Sequence, residues 1–374
     1  MIMGYIRIGT GRTPLFAEGR AGLDVTGCAV DTAVNEVDGA DLTLPAENRP
    51  ARSLLQKNAV IELRDDGGTV FVGSVARAQQ KETGMIRLKI DGALGWLGDI
   101  CKAPFTIKPS DPNGPVENFL AAIISQYNAA VGTERVIHLG TVTVSGGVSM
   151  DHSGEYVSML DLVREVREQL GGYYFMDYSS GIPTLHFAAA PADAAKLVLE
   201  FGRNVMTVEN QLDFSDYASR IYATGHYYET VQRDGHDVRE SRLITTSVTD
   251  ATAEATFGRK DRTYRSDTDM GGDEDAGIPD KTQQEATAII QAEAQAVLNL
   301  HKTPLRSLKM TAADLAAVGS GRRAFTVGIA ARAYCAPLGI DEMMLVHKVR
   351  RDYINAANSV VTFGQAPRTL TRML

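Results

Sequence analysis

The sequence predicts a β-rich α+β chain of 374 residues. Three observations point there. Short runs over residues 1–98 alternate polar and apolar side chains between Gly-rich turns, as half-buried strands do. Residues 99–200 hold two stretches with apolar residues at helical spacing, followed by a hairpin. Residues 201–374 combine strand-like runs with one long, alanine-rich helix. A chain of this length exceeds one ordinary core, so the three segments are the expected domains, with boundaries free to be discontinuous.

The first segment contains Tyr5 to Ile8, Asp24 to Val30, Asp41 to Leu44, Val60 to Arg64, Thr69 to Val75 and Met85 to Ile90 as strands, which suggests a barrel or sandwich. Pro45, Asn48 and Pro50 interrupt it with an irregular connection. Asp65-Asp66-Gly67-Gly68 supplies a tight hairpin turn, since glycine accepts positive φ and aspartate bonds its own backbone. The strand from Met85 should lie beside Val70 to Val75.

In the second segment, Pro115 opens a helix whose buried stripe is Val116, Phe119, Leu120, Ile123, Ile124 and Tyr127, with Gly132 as its stop. Val136 to Val144 reads as a strand. A second helix from about Tyr156 to Leu170 buries Val157, Leu160, Val163, Val166 and Leu170 and ends at Gly171-Gly172. Tyr173 to Tyr178 and Pro183 to Phe187 form a hairpin around a Ser-Ser-Gly turn.

In the third segment, Val205 to Asn210 and Tyr217 to Gly225 are strands. A polar insertion near 226–280 is expected to be mobile, above all Gly258 to Asp280, which is nearly empty of aliphatics. The long helix runs from about Lys281 to Leu300, with Asp280 and Gln283 as its capping box and Ala288, Ile289, Ala292, Ala296, Val297 and Leu300 along one side. Ser307 to Thr311 and Phe325 to Ile329 are strands. Glu342 to Tyr353 and Ser359 to Gly364 form a terminal hairpin.

Composition narrows the function. A formal net charge of −8 argues against a nucleic-acid grip and against docking on anionic membranes. No apolar run of about 20 residues spans a bilayer, and the start, MIMGYIRIGTGR, lacks the pattern of a signal peptide. Three widely spaced cysteines, Cys28, Cys101 and Cys335, make no disulfide framework and fit reduced, cytoplasmic synthesis.

Catalytic motifs are missing. There is no HExxH, GxSxG, Walker A or zinc-spaced Cys/His set, so no catalytic, cofactor-binding or metal-binding residue is assigned. The seven histidines, His138, His152, His186, His226, His236, His301 and His347, lie more than four residues apart, and nothing local pairs Cys28 or Cys335 with one of them. Gly319-Ser320-Gly321-Arg322-Arg323 reads as a surface turn, because no helix follows to complete an anion cradle. Asp267 to Asp275 places acids at alternate positions with Gly272 at the tight-turn position of a calcium loop. Ile278 stands where the bidentate glutamate belongs, so a solvated acidic loop is expected. Tyr173-Tyr174-Phe175 and Tyr227-Tyr228 are read as strand pairs rather than a sugar platform.

Taken in order, the segments resemble the hub proteins of bacteriophage tails, the baseplate hub and tail-associated proteins that include the prophage endopeptidase tail family. The likeness rests on three parts. The first is Asp41 to Leu44, Lys57 to Leu63 and Val70 to Val75. The second is the helix through Leu160, Leu162 and Val163, with Gly171-Gly172-Tyr173 and Leu185-His186-Phe187. The third is Asn204 to Asp213, Tyr217 to Gly225, the alanine-rich helix, Thr311 to Leu315, and Phe363-Gly364. The resemblance implies two tail-tube-like β-barrel domains with smaller α+β domains attached. It implies a virion structural protein at the tail tip: a homotrimer whose six tube-like domains close the distal end of the tube. Partners would be distal tail and tail-tube proteins, the tape measure protein, and tail fibre or receptor-binding proteins that serve host cell attachment. DNA would only pass through the lumen. No enzyme activity and no cofactor is carried over. The rival expectations are a peptidoglycan-degrading tail hydrolase and a carbohydrate-binding tail-tip adhesin.

Overall fold

The computed structural model describes residues 2–17, 22–55, 59–80, 82, 84–234, 236–266, 268, 270–272, 280–312 and 325–364. The chain divides into two compact units, Met1–Glu209 with Leu308–Ala366, and Asn210–Ser307. The second is thus an insertion in the first.

The first unit begins with strands β1 (Met3–Ile8), β2 (Gly11–Ala17), β3 (Gly27–Ala33) and β4 (Gly39–Pro45). The short helix α1 (Arg49–Ser53) follows, then β5 (Val60–Asp65), β6 (Gly68–Gln80) and β7 (Met85–Gly92). They pair in the order β3-β4-β7-β6-β5-β1-β2, antiparallel throughout. The alternation works as physics requires: Leu42, Leu44, Ile61, Leu63, Phe71, Ile86, Leu88 and Ile90 point into one core. The β5–β6 turn forms as expected, with the Gly67 N–H donating to Asp65 Oδ1 at 2.8 Å. The irregular connection corrects to a helical turn. Asn48 caps it, accepting from Ala51 N at 2.9 Å while its Nδ2 donates to Leu15 O at 2.8 Å. Strand β2 escapes the sequence reading because its first four residues are exposed and Pro14 interrupts it.

After a 3₁₀ segment over Ala93–Asp99 come β8 (Cys101–Lys102), β9 (Phe105–Ile107), α2 (Val116–Ala130), β10 (His138–Val142), β11 (Met150–His152), β12 (Val157–Ser158), α3 (Met159–Leu170), β13 (Tyr173–Asp177) and β14 (Thr184–Ala188). All six residues of the expected α2 stripe are buried. Helix α3 starts three residues later than expected, because Ser158 caps it by accepting from Asp161 N at 3.1 Å; Val157 pairs instead with Lys102 in a strand. Gly171 ends α3 at φ 73°, which only glycine adopts without strain. Strands β10, β14 and β13 form a small sheet. Its side chains Tyr174, Leu185 and Phe187 join those of α2, α3 and β1–β7 in one continuous core.

Strands β15 (Ala192–Glu200) and β16 (Val205–Asp213) lead into the second unit. That unit holds β17 (Arg220–Arg233), β18 (His236–Thr249), α4 (Ala251–Phe257), β19 (Asp261–Arg265) and α5 (Gln283–His301). The chain then returns through β20 (Leu305–Ala312), β21 (Ile329–Cys335), β22 (Ile340–Asp352) and β23 (Val360–Gly364). Strands β15, β16 and β20–β23 surround a second core that includes Leu199, Leu308, Met310, Val346, Val361 and Phe363. The terminal hairpin is β22 against β23. Strand β22 also pairs with β3, Lys348 opposite Ala33 through Asp352 opposite Ala29, so the two β halves form one continuous sheet, thirteen-stranded among the described residues. Residues 325–328 are irregular chain ending in a turn rather than the start of a strand; Phe325 and Val327 fill the core and β21 begins at Ile329.

Within the stretch expected to be a mobile polar insertion, the described residues of 226–266 form strands and a short helix, while most of 267–280 lies outside the described residues. Strands β17 and β18 form an unbroken hairpin from Arg220 opposite Thr249 to Arg233 opposite His236, and Asp261–Arg265 is a strand parallel to β17. Helix α5 packs Ala286, Ile290, Ala294 and Leu298 onto Ile221, Ala223, Ile244 and Val248. The face read from sequence is displaced: Ala288, Ala292, Ala296 and Leu300 are exposed. The capping box is Thr282 with Glu285, not Asp280 with Gln283. Alanine on every side of this helix blurs its periodicity.

Candidate functional site

Several side chains with chemical potential are engaged in the fold. Among the described residues no group of three His, Cys, Asp or Glu could hold a metal ion. Cys28 and Cys335 are buried, and burial, then the Asp352 charge, pushes the Cys28 thiol up to about 12, which removes it as a nucleophile. His152 is held between Glu155 at 3.2 Å and Glu165 at 2.8 Å. The Thr141 N–H donates to His186 Nδ1 at 3.1 Å, and the His186 ring stacks on Phe175. Tyr174 is buried, and the Arg239 guanidinium covers Tyr228 at 4.0 Å, so neither aromatic cluster offers an open platform. Gly319 to Arg323 lies outside the described residues. So does most of Asp267 to Asp275, including all its acids.

Two buried carboxylates organise the first unit, and neither was read from the sequence. Glu62 on β5 is fully buried. Arg7 Nε donates to it at 2.8 Å, Arg12 Nε at 2.7 Å and Thr69 Oγ1 at 2.9 Å. Arg7 also donates to the Gly181 carbonyl in the β13–β14 turn. Burial raises the Glu62 pKa, but the bonds from Arg12 and Arg7 outweigh it and leave the carboxyl below its ordinary value. Alternation in Val60-Ile61-Glu62-Leu63 marks Glu62 as solvent-facing; the arginines that cover it come from a hairpin some fifty residues upstream.

Asp38 sits in the β3–β4 turn at 2 % exposure. It accepts from the Ala33 N–H at 2.9 Å and from the Tyr178 hydroxyl at 2.8 Å. Beside it Asn35, at φ 63°, takes the Tyr174 N–H on Oδ1 at 2.9 Å, and its carbonyl accepts from the Tyr174 hydroxyl at 2.8 Å. Gly92 closes the site: a Cβ there would stand 2.8 Å from Asp38 Cβ and 2.9 Å from Tyr178 Oη. These bonds lock the β13–β14 hairpin onto the β sheet.

Strand β2 pairs only with β1, and β18 pairs only with β17, so among the described residues each leaves one edge able to extend a sheet. Large apolar side chains stand out singly, Ile8 at 69 % and Tyr156 at 73 % exposure. No helix among the described residues is long and apolar enough to cross a membrane.

No family model matches the chain, and no curated protein sequence does. Solved structures do match, from end to end. A tail protein from Neisseria meningitidis MC58 aligns with TM-score 0.62 at 13 % identity, covering 97 % of this chain and 96 % of that one. The 43 kDa tail protein of prophage MuSo2 from Shewanella oneidensis aligns with TM-score 0.58 at 14 % identity, covering 97 % of both chains. An Escherichia coli component of the type VI secretion system, described as structurally similar to the T4 tail proteins gp27 and gp5, aligns with TM-score 0.50 at 10 % identity, covering 93 % of this chain and 74 % of that one. The chain therefore has the β-rich α+β fold of tail proteins.

Proposed function

We propose that the chain is a structural hub of a phage-type tail, three copies of which form a ring that closes the distal end of the tail tube and joins it to the tip or baseplate. The observation that carries this reading is the end-to-end likeness to tail proteins, with no large segment of either chain left over. The continuous sheet supports it. On this reading the two β halves, joined through β22 and β3, are the two tube-like parts of each copy, and three copies bring six to a sixfold tail. Edges at β2 and β18 that are unpaired among the described residues supply extended surfaces for neighbours, which assembly proteins need more than reactive groups.

On this reading the protein is not an enzyme. It is made in the host cytoplasm and ends at the virion tail tip. Its partners are its own copies, the distal tail and tail-tube proteins, the tape measure protein, and fibre or receptor-binding proteins involved in host attachment, with DNA only passing through. Labelled-antibody electron microscopy of tailed particles made by cells that express the chain tests the placement. Label confined to the distal tip supports it; label along the shaft, or absent from particles, contradicts it.

A further inference from the structure

Strand β6 carries a bulge between Val75 and Arg77, where the register passes from Val75 opposite Ile90 to Arg77 opposite Lys89. Val75 points inward. Unbroken alternation would turn Arg77 inward as well; the extra residue turns Arg77 and Gln79 out and packs Ala78 against the core. Arg77 then lies on the same exposed face as Arg87 and Lys89 of β7, directly across from Lys89. Like charges placed opposite each other weaken a strand pair. Asp41 faces Lys89 from β4, but its carboxylate is engaged by Arg350 at 3.2 Å. Asp91 occupies the next outward position of β7.

Arg77, Arg87 and Lys89 make no ion pair among the described residues, whereas Arg164, Arg259 and Arg332 each lie within 2.8 Å of a carboxylate. The three cations border a shallow groove of about 360 Å³ together with Thr43 and Gln79. Basic side chains have thus been gathered, by a bulge, on the face of a protein whose net charge is −8.

We propose that this face of β4, β7 and β6 docks an extended acidic segment of a partner protein. Arg87 and Lys89 stand two residues apart on one strand, about 6.7 Å. Alternate side chains of any extended polypeptide have the same spacing, so carboxylates at every second position meet both cations, with Arg77 flanking. Duplex nucleic acid fits worse, because its affinity comes from many phosphates contacted at once and this face mixes three cations with Asp41 and Asp91. The inference stands independently of the tail reading.

The test uses the whole protein and a fluorescent octapeptide of alternating Asp and Thr, followed by anisotropy at about 0.05 M salt. Saturable binding is expected. It should weaken about tenfold in the Arg87→Gln/Lys89→Gln double variant, survive Lys89→Arg, and vanish when the peptide carries Asn for Asp or at about 0.5 M salt. An unchanged melting temperature shows that the double variant is folded. Three results would overturn the proposal: no saturable binding by the unaltered protein, equal binding by the double variant, or a DNA duplex that binds the same residues more tightly than the peptide.

Discussion

The Tyr178 hydroxyl lies 2.8 Å from a carboxylate oxygen of Asp38, and both groups are buried. This bond joins two parts of the chain separated by 140 residues, and it sets a pH dependence. Burial lifts the Asp38 pKa from 3.8 to about 7, against the opposing bonds from Ala33 and Tyr178. Between these values the folded chain holds a proton that the unfolded chain has released. The stability owed to this group therefore falls as pH rises from about 4 to about 7 and levels off above. The full span is on the order of 4 kcal/mol. Asp38→Asn keeps the acceptor for Ala33 and removes the titration. Thermal melts from pH 5 to 8 should show a flatter profile for this variant, with a melting temperature at pH 8 no lower than that of the unaltered protein; a parallel, equally steep profile would contradict the assignment.

Glu62 responds in the opposite sense. Its folded pKa is depressed below 4.5, so its contribution is complete above that value and is lost as pH falls through the folded pKa. Glu62→Ala leaves Arg7 and Thr69 without their shared acceptor in a buried site. Removing one partner of a buried ion pair costs roughly 3–5 kcal/mol. Urea unfolding at pH 7 should show a loss of that size. A loss within ~0.5 kcal/mol, the range of ordinary surface changes, would mean that the cluster is solvated in solution.

Thiol chemistry checks the two cores separately. Cys28 and Cys335 are buried in different cores and Cys101 is exposed. An aromatic disulfide reagent should therefore titrate Cys101 quickly in the native protein, and the other two only after denaturation. Rapid reaction of Cys28 would show that the β3–β22 junction opens.

A hub that only assembles should leave cell walls intact. In a zymogram with purified peptidoglycan, the refolded protein is expected to give no clearing beside a lysozyme control. A cleared band that disappears on heat inactivation would establish the hydrolase reading instead.

Much of the first β half is legible in the sequence because its strands face core on one side and water on the other. Leu42 and Leu44, Ile61 and Leu63, and Ile86, Leu88 and Ile90 announce that geometry. The α2 stripe is equally plain. The β17–β18 hairpin is hidden for the same physical reason in reverse. Its distal part, Glu229 to Arg233 against His236 to Glu240, joins no hydrophobic core among the described residues and carries polar residues on both faces. Helix α5 conceals its face because alanine tolerates burial and exposure alike. The carboxylates Asp38 and Glu62 are invisible to local pattern, since the groups that bury and satisfy them arrive from distant strands and turns.

The central claim is assembly as a ring of three. Native mass measurement of the purified protein, joined to negative-stain imaging of the same sample, tests it most directly. The expected result is a species of about 121 kDa, three times the 40.3 kDa of the chain, that images as a ring with a central opening. A species of 40.3 kDa that persists at high concentration and with the neighbouring tail proteins present would contradict it.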